Sequence, residues 1–104
     1  MGGKLAYRLI RSESTVMLAV ADAELLNRRI ESSDGVVLDV NEEFFGEKVG
    51  TEDDVVRLVG QADMIILVGR RAVDLGTRLG LVAPGSPIEV NGVPYVQVFR
   101  SLIA

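Results

Sequence analysis

Thr15 to Ala21 is an almost wholly apolar run of seven residues with no polar alternation. Such a run reads as a strand covered on both faces, and so as an inner strand of a sheet. Just ahead of it, Leu5, Tyr7 and Leu9 alternate with Ala6, Arg8 and Ile10, the two-residue period of a second strand over 4–10. Only the polar turn Arg11-Ser12-Glu13-Ser14 separates the two, so they pair as an antiparallel hairpin. The hairpin starts a sheet that later elements must extend and cover.

Asp22 follows as an N-cap, its carboxylate suited to accept from the free N–H groups of a first helical turn. The spacing predicts a helix over 23–31, with Leu25, Leu26 and Ile30 inward and Glu24, Arg28, Arg29 and Glu31 outward. Ser32-Ser33-Asp34-Gly35 ends it, Gly35 supplying a left-handed turn. Val36 to Val40 is a short strand. Asn41 to Glu47 reads as an ordered loop, because two adjacent phenylalanines, Phe44 and Phe45, are poorly placed in water. Thr51-Glu52-Asp53-Asp54 has capping-box form, with Asp as the returning acid, and opens a helix over about 52–61.

Met64 to Val68 is apolar and partly β-branched, which favours a buried strand. Ala62, Ile65, Gly69, Ala72, Gly76 and Leu79 also fall at helical spacing and would merge 62–81 into one helix. The strand is the preferred reading, followed by Gly69 at the turn and a helix over 70–80 with Gly80 at its C′ position. Three glycines inside one helix would cost roughly 1 kcal/mol each against alanine. Ala83-Pro84-Gly85-Ser86-Pro87 is a loop. Asn91-Gly92 signals a two-residue turn before a closing strand that runs to Phe99. Pro94 has no N–H to donate and places that end of the strand at a sheet edge. The order is ββαβαβαββ. This is the α/β (α+β) class: a single domain over 1–104, with a mixed sheet, hairpins at both ends and about three helices packed on it.

Composition narrows function by exclusion. The 104 residues contain no Cys and no His, which removes disulfide frameworks, Cys/His zinc sites, thiol nucleophiles and imidazole bases together. No segment approaches the roughly 18 consecutive apolar residues of a membrane helix. Met1-Gly2-Gly3-Lys4 has no signal-peptide character, so a cytoplasmic location is expected. The net charge of −4 conceals an asymmetry. Residues 31–54 hold nine acids against one base, Lys48, whereas the remainder holds six acids and ten bases. An acidic face and a mildly basic one are expected if folding keeps these regions apart.

Three stretches carry a resemblance: Glu42-Glu43-Phe44-Phe45-Gly46, Leu67-Val68-Gly69-Arg70-Arg71-Ala72-Val73, and Gly92-Val93-Pro94-Tyr95-Val96-Gln97-Val98. In this order, and with the opening hairpin, the chain resembles the small archaeal family known as domain-of-unknown-function family 424 over nearly its whole length. The resemblance implies an archaeal, cytosolic, single-domain protein without an assigned activity, and a link to RNA or translation that identifies no residue. Relatives often carry His where this chain has Tyr95, and an acid where it has Arg71. An imidazole role at position 95 therefore has no counterpart here.

The constellation richest in chemistry is Gly69-Arg70-Arg71. If it joins a strand to a helix, free N–H groups point outward there and suit a phosphate or carboxylate. Two arginines at that point oppose the helix dipole, a clash that a bound anion relieves. The bland alternative is that their stems cover apolar surface while the guanidinium heads stay in water. Nine of the eleven bases are Arg, which suits bidentate phosphate contacts, although genomic composition alone produces the same bias. If RNA is the ligand, Arg28, Arg29, Arg70, Arg71 and Arg78 should share a face. Glu42, Glu43, Phe44 and Phe45 form a candidate interaction loop, in which the phenylalanines stack on bases or, the better reading, anchor the acidic loop to the core.

An EF-hand starting at Asp39 fails, because Phe44 and Gly50 stand where Gly and Glu are needed. Weak divalent-cation binding by Asp39, Glu42 and Glu43 is the remaining metal reading, beside a solvated loop. No metal site and no cofactor is assigned. The expectation is a non-catalytic binding module that touches RNA or a ribonucleoprotein. One alternative is a small enzyme or nucleotide- or phosphate-binding protein, with a pocket lined by Gly69, Arg70 and a carboxylate such as Asp39. The other is a protein–protein adaptor that uses the acidic 39–54 segment.

Overall fold

In the computed structural model, residues 3–100 are described, so the extreme ends of the expected 1–104 domain lie outside the described residues. In chain order the strands are β1 (Leu5–Arg11), β2 (Val16–Asp22), β3 (Arg28–Glu31), β4 (Val37–Val40), β5 (Lys48–Gly50), β6 (Met64–Val68), β7 (Ile88–Val90) and β8 (Val93–Phe99). The helices are α1 (Glu42–Phe45), α2 (Glu52–Val59) and α3 (Arg70–Arg78). Six strands form one mixed sheet in the order β5-β1-β2-β6-β8-β7, and β3 and β4 form a separate two-stranded sheet. The α+β class, the mixed sheet and the hairpin at either end are as expected. The apolar run of β2 is an inner strand, antiparallel to β1 and parallel to β6.

Each face of the large sheet has its own core. Leu5, Leu18, Val20, Ile65 and Leu67 face α2 and α3, where Val55, Ala72 and Leu75 meet them. On the other face Ala19, Ala21 and Val68 lie under Val40 and Phe45, with Ile30 and Leu38 of the small sheet packed alongside. Small residues on β2 let that second layer approach closely. Residues buried to this degree are worth roughly 1.5–3 kcal/mol apiece for the larger aliphatic side chains.

The element over 23–31 is not the expected helix, and the order ββαβαβαββ is corrected accordingly. Ala23–Leu25 makes a single 3₁₀ turn, and Arg28–Glu31 is a strand paired with β4 in the register Arg28–Val40 to Glu31–Val37. Asn27, in the left-handed region at φ 67°, breaks the helical path, and its N–H bonds the Val40 carbonyl at 2.6 Å. Leu25, Leu26 and Ile30 point into the core in either arrangement, so their spacing did not separate the two. Gly35 is left-handed as expected, but it serves the β3–β4 hairpin turn, where Ser32 N–H bonds the Val36 carbonyl. One further element, α1, comes from the stretch read as a loop, Asn41 to Glu47, and another, β5, from the residues just after it. Asn41 caps α1 by accepting from Phe44 N–H at 2.8 Å, and Lys48–Gly50 adds β5 beside β1.

Other local signals hold. Thr51 and Asp54 form the reciprocal capping box, with Thr51 N–H to Asp54 Oδ2 at 3.0 Å and Asp54 N–H to Thr51 Oγ1 at 3.4 Å. Met64–Val68 is a strand, not part of a long helix. Gly80 ends α3 in a Schellman arrangement, with Leu81 N–H on the Gly76 carbonyl and Gly80 N–H on that of Thr77. Asn91 and Gly92 are both left-handed, as a two-residue hairpin turn requires. Pro94 does not mark an edge: β8 lies between β6 and β7. It is accommodated because the β6 register stops at the Val68–Tyr95 pair, one residue short of it, and its carbonyl still accepts from Gly69 N–H at 2.8 Å.

Gly76 lies inside α3, where glycine is intrinsically unfavourable. A Cβ there would stand 2.5 Å from Leu67 Cδ1 and 2.9 Å from Val82 Cγ2, so the helix can press on β6 only without one. Gly76→Ala is therefore expected to destabilise by about 1–2 kcal/mol despite the gain in helix propensity, overpacking outweighing it. Urea unfolding of the variant checks this, and a stabilised variant would show that Leu67 rotates freely. Among the described residues no helix is long and apolar enough to cross a membrane.

Candidate functional site

Because β2 and β6 are parallel, with Ala21 opposite Val68, their carboxyl ends open on one side of the sheet. This is the end at which open α/β sheets characteristically hold ligands. Asp22 is the last residue of β2, and Gly69 follows β6 as the N-cap of α3, at φ 106°. The Asp22 side chain, the one charged side chain buried among the described residues, turns onto the helix start. Its Oδ2 accepts from Arg71 N–H at 3.1 Å and its Oδ1 from Ala72 N–H at 2.9 Å. Asp22 does cap a helix, but α3 rather than the expected helix at 23–31, where it makes no side-chain cap bond. Two of the N–H groups expected to be free after Gly69, those of Arg71 and Ala72, are thus already held by a carboxylate of the chain itself.

That carboxylate offsets the two arginines at the positive end of the helix dipole. Arg71 Nη1 lies 3.9 Å from Asp22 Oδ2 and 2.5 Å from Glu24 Oε2. Burial raises the Asp22 carboxyl above the ordinary range; the N–H groups of Arg71 and Ala72 oppose this, nearby Glu24 adds to it, and the Arg71 charge opposes it. Burial also works against ionisation of Glu24, but its own N–H and the Arg71 guanidinium hold it below its usual value. The same pairing raises Arg71 further, chiefly through the Glu24 hydrogen bond.

A cleft of about 320 Å³ opens here. Asp22, Glu24 and Leu25 form one wall, Gly69, Arg70 and Arg71 a second, and Gly92, Val93 and Pro94 of the closing hairpin a third. The pocket expected around Gly69 and Arg70 exists, but its carboxylates are Asp22 and Glu24. Asp39 lies elsewhere, on β4 opposite Arg29. Arg70 is exposed at the rim and, among the described residues, forms no ion pair or side-chain hydrogen bond.

The remaining candidates are dispersed. Arg28 and Arg29 lie on β3 in the small sheet, with Arg29 Nε bonded to Glu31 at 3.0 Å. Arg78, at the far end of α3, bridges Glu52 at 2.5 Å and Asp74 at 2.9 Å. Phe45 is buried and Phe44 half-buried, the rings edge-to-face with centroids 4.9 Å apart, so the pair anchors α1 to the core. Glu42 accepts from Asn27, and the Glu43 carbonyl accepts from Arg8, both beside a wide, shallow acidic depression. Among the described residues no three acidic side chains converge on a metal-sized site.

Asp22 and Glu24 were absent from the expected site. The signal available for Asp22 was a lone acid closing an otherwise apolar inner strand, a residue that must find donors somewhere in the fold.

Comparison with other proteins gives a consistent placement. A search of curated proteins finds no significant match. Among solved structures, the chain is similar to the crystal structure of an uncharacterized conserved protein from Methanopyrus kandleri, with a TM-score of 0.76 at 23% identity and 97% of each chain covered. That likeness concerns the fold. Residues 10–101 match the family model described as protein of unknown function, DUF424, and the chain belongs to this family.

Proposed function

We propose that the protein is a non-catalytic binding module of the cytosol that takes an anionic group at the rim of the Asp22–Arg71 cleft, with Arg70 as the principal contact. One observation carries this reading. Arg70 is an exposed guanidinium without an acidic partner among the described residues, set on a small-molecule-sized cleft at the ligand-binding end of the sheet. Binding is favoured over catalysis because the acids in the cleft are engaged. Both Asp22 oxygens accept backbone N–H groups, and Glu24 holds Arg71. RNA phosphates are one source of such an anion. Of the five arginines that would contact them, however, Arg29, Arg71 and Arg78 are in ion pairs that a phosphate track would have to break.

Arg70→Gln is expected to leave stability unchanged or raise it by a few tenths of a kcal/mol, because a dipole clash disappears. Arg71→Gln should instead lower stability modestly through loss of the exposed Glu24 pair. In titrations with acetate, inorganic phosphate and a short RNA oligonucleotide, the amide resonances of Arg70 to Ala72 should move, and Arg70→Gln should weaken binding by on the order of 1–3 kcal/mol. Binding that ignores Arg70→Gln would end the proposal. An RNA affinity independent of salt would exclude phosphate contacts.

A further inference from the structure

We infer that the ligand of this cleft is a singly charged carboxylate with a short apolar body, either a free aliphatic acid or the C-terminal carboxylate of a peptide. This rests on the binding role proposed above and names its ligand class. Charge selects the ligand first. Asp22, Glu24, Arg70 and Arg71 line the cleft and their formal charges cancel, and Arg71 is already divided between the two acids. That leaves one guanidinium, Arg70, which can match one carboxylate with two parallel hydrogen bonds. A phosphate dianion would bring a second negative charge toward Asp22, where burial screens repulsion poorly.

The seat available to an anion is restricted as well. The start of a helix is a ready phosphate seat, but here the Arg71 and Ala72 N–H groups are occupied by Asp22. An incoming anion is therefore left with Arg70, at the outer edge of that turn, whose side chain lines the cleft. Away from the charged residues the lining presented to an anion's body is apolar. Leu25, Val93 and Pro94 offer it no charge and no side-chain hydrogen-bond donor, and Gly92 has nothing within 4 Å of its would-be Cβ, so the space before it is open. An apolar body matches that lining better than a phosphodiester flanked by polar ribose hydroxyls. A volume of about 320 Å³ sits at the small end of the range for ligand sites, which suits a single compact molecule.

Two-dimensional NMR titrations of the whole chain test this with 4-methylpentanoate, its neutral amide 4-methylpentanamide, inorganic phosphate and a short RNA oligonucleotide. The acid is expected to shift the amides of Gly69 to Ala72 and of Gly92 and Val93. Its affinity should be at least tenfold above that of the amide and of phosphate, and Arg70→Gln should remove that advantage. A tripeptide ending in leucine, compared with its C-terminally amidated form, separates the sources: tighter binding of the free-carboxylate peptide than of 4-methylpentanoate marks a peptide end, and the reverse a free acid. Equal binding of acid and amide, or tighter binding of phosphate or RNA at the same amides, would overturn the ligand class. In the phosphate and RNA cases the Arg70 anion site itself would stand. If no probe moves these resonances, both readings fail.

Discussion

Gly69→Ala is expected to destabilise the protein by about 4 kcal/mol, from two costs that act together. At φ 106° the residue lies where side chains are strained, worth roughly 1–3 kcal/mol. The added Cβ would also stand 2.4 Å from Asp22 Cγ and 2.7 Å from both carboxylate oxygens. Relief requires Asp22 to withdraw, which strips the Arg71 and Ala72 N–H groups of their acceptor at about 1–3 kcal/mol. For a domain of this size the sum corresponds to a melting temperature lower by roughly 15–20 °C. Gly60→Ala is the control. Gly60 has ordinary helical backbone angles and open space at its Cβ, so alanine there should be neutral or slightly stabilising. If Gly69→Ala melted within a few degrees of the parent, the tight contact between Gly69 and Asp22 would be wrong.

Asp22→Ala should cost about 3 kcal/mol, because it removes the acceptor of two N–H groups at the start of α3 and leaves Arg71 with Glu24 alone. Asp22→Asn keeps the shape and one acceptor and should cost about half as much. The pH dependence of that second variant is diagnostic. Burial raises the folded-state pKa of Asp22 above its ordinary value of 3.8. The folded protein then holds the Asp22 proton more tightly than the unfolded chain does. Its contribution is complete below 3.8 and is lost as pH rises through the folded-state value. The stability advantage of the parent over Asp22→Asn should therefore widen as pH falls from 7 toward 4. Glu24 and Asp54, both lowered, act in the opposite sense, their contributions being lost on acidification, but they are present in both proteins and largely cancel. Urea midpoints of the two proteins across that range measure the difference. A gap that narrows on acidification would mean that the two N–H donors outweigh burial at Asp22.

Both predictions concern a contact between residues 22 and 69–72, and neither partner announces the other. Asp22 is a competent cap by residue type, and reading it against the residues that follow assigns it to 23–31. There Leu25, Leu26 and Ile30 satisfy a helix and a hairpin equally, and the choice is made by strand pairing with Val37–Val40. Gly76 likewise reads as a defect in a helix until Leu67 and Val82 are seen against it. The arginines read as free charge, yet Arg71 and Arg78 find acids on other elements.

Features whose cause lies within a few residues are legible in the chain before it folds. These are the β1–β2 hairpin around its short turn, the Thr51–Asp54 capping box, the left-handed Asn91-Gly92 turn and the Gly80 stop of α3. Each depends on backbone preference and on hydrogen bonds that close within about five residues, so the local chain contains all of the determinants. The parallel register of β2 and β6 decided the rest. It brings Asp22 to the start of α3, assembles the cleft and leaves Arg70 as its one cation without an ion pair among the described residues. Long-range pairing of this kind is set by which faces must be buried together, and a linear spacing does not specify that.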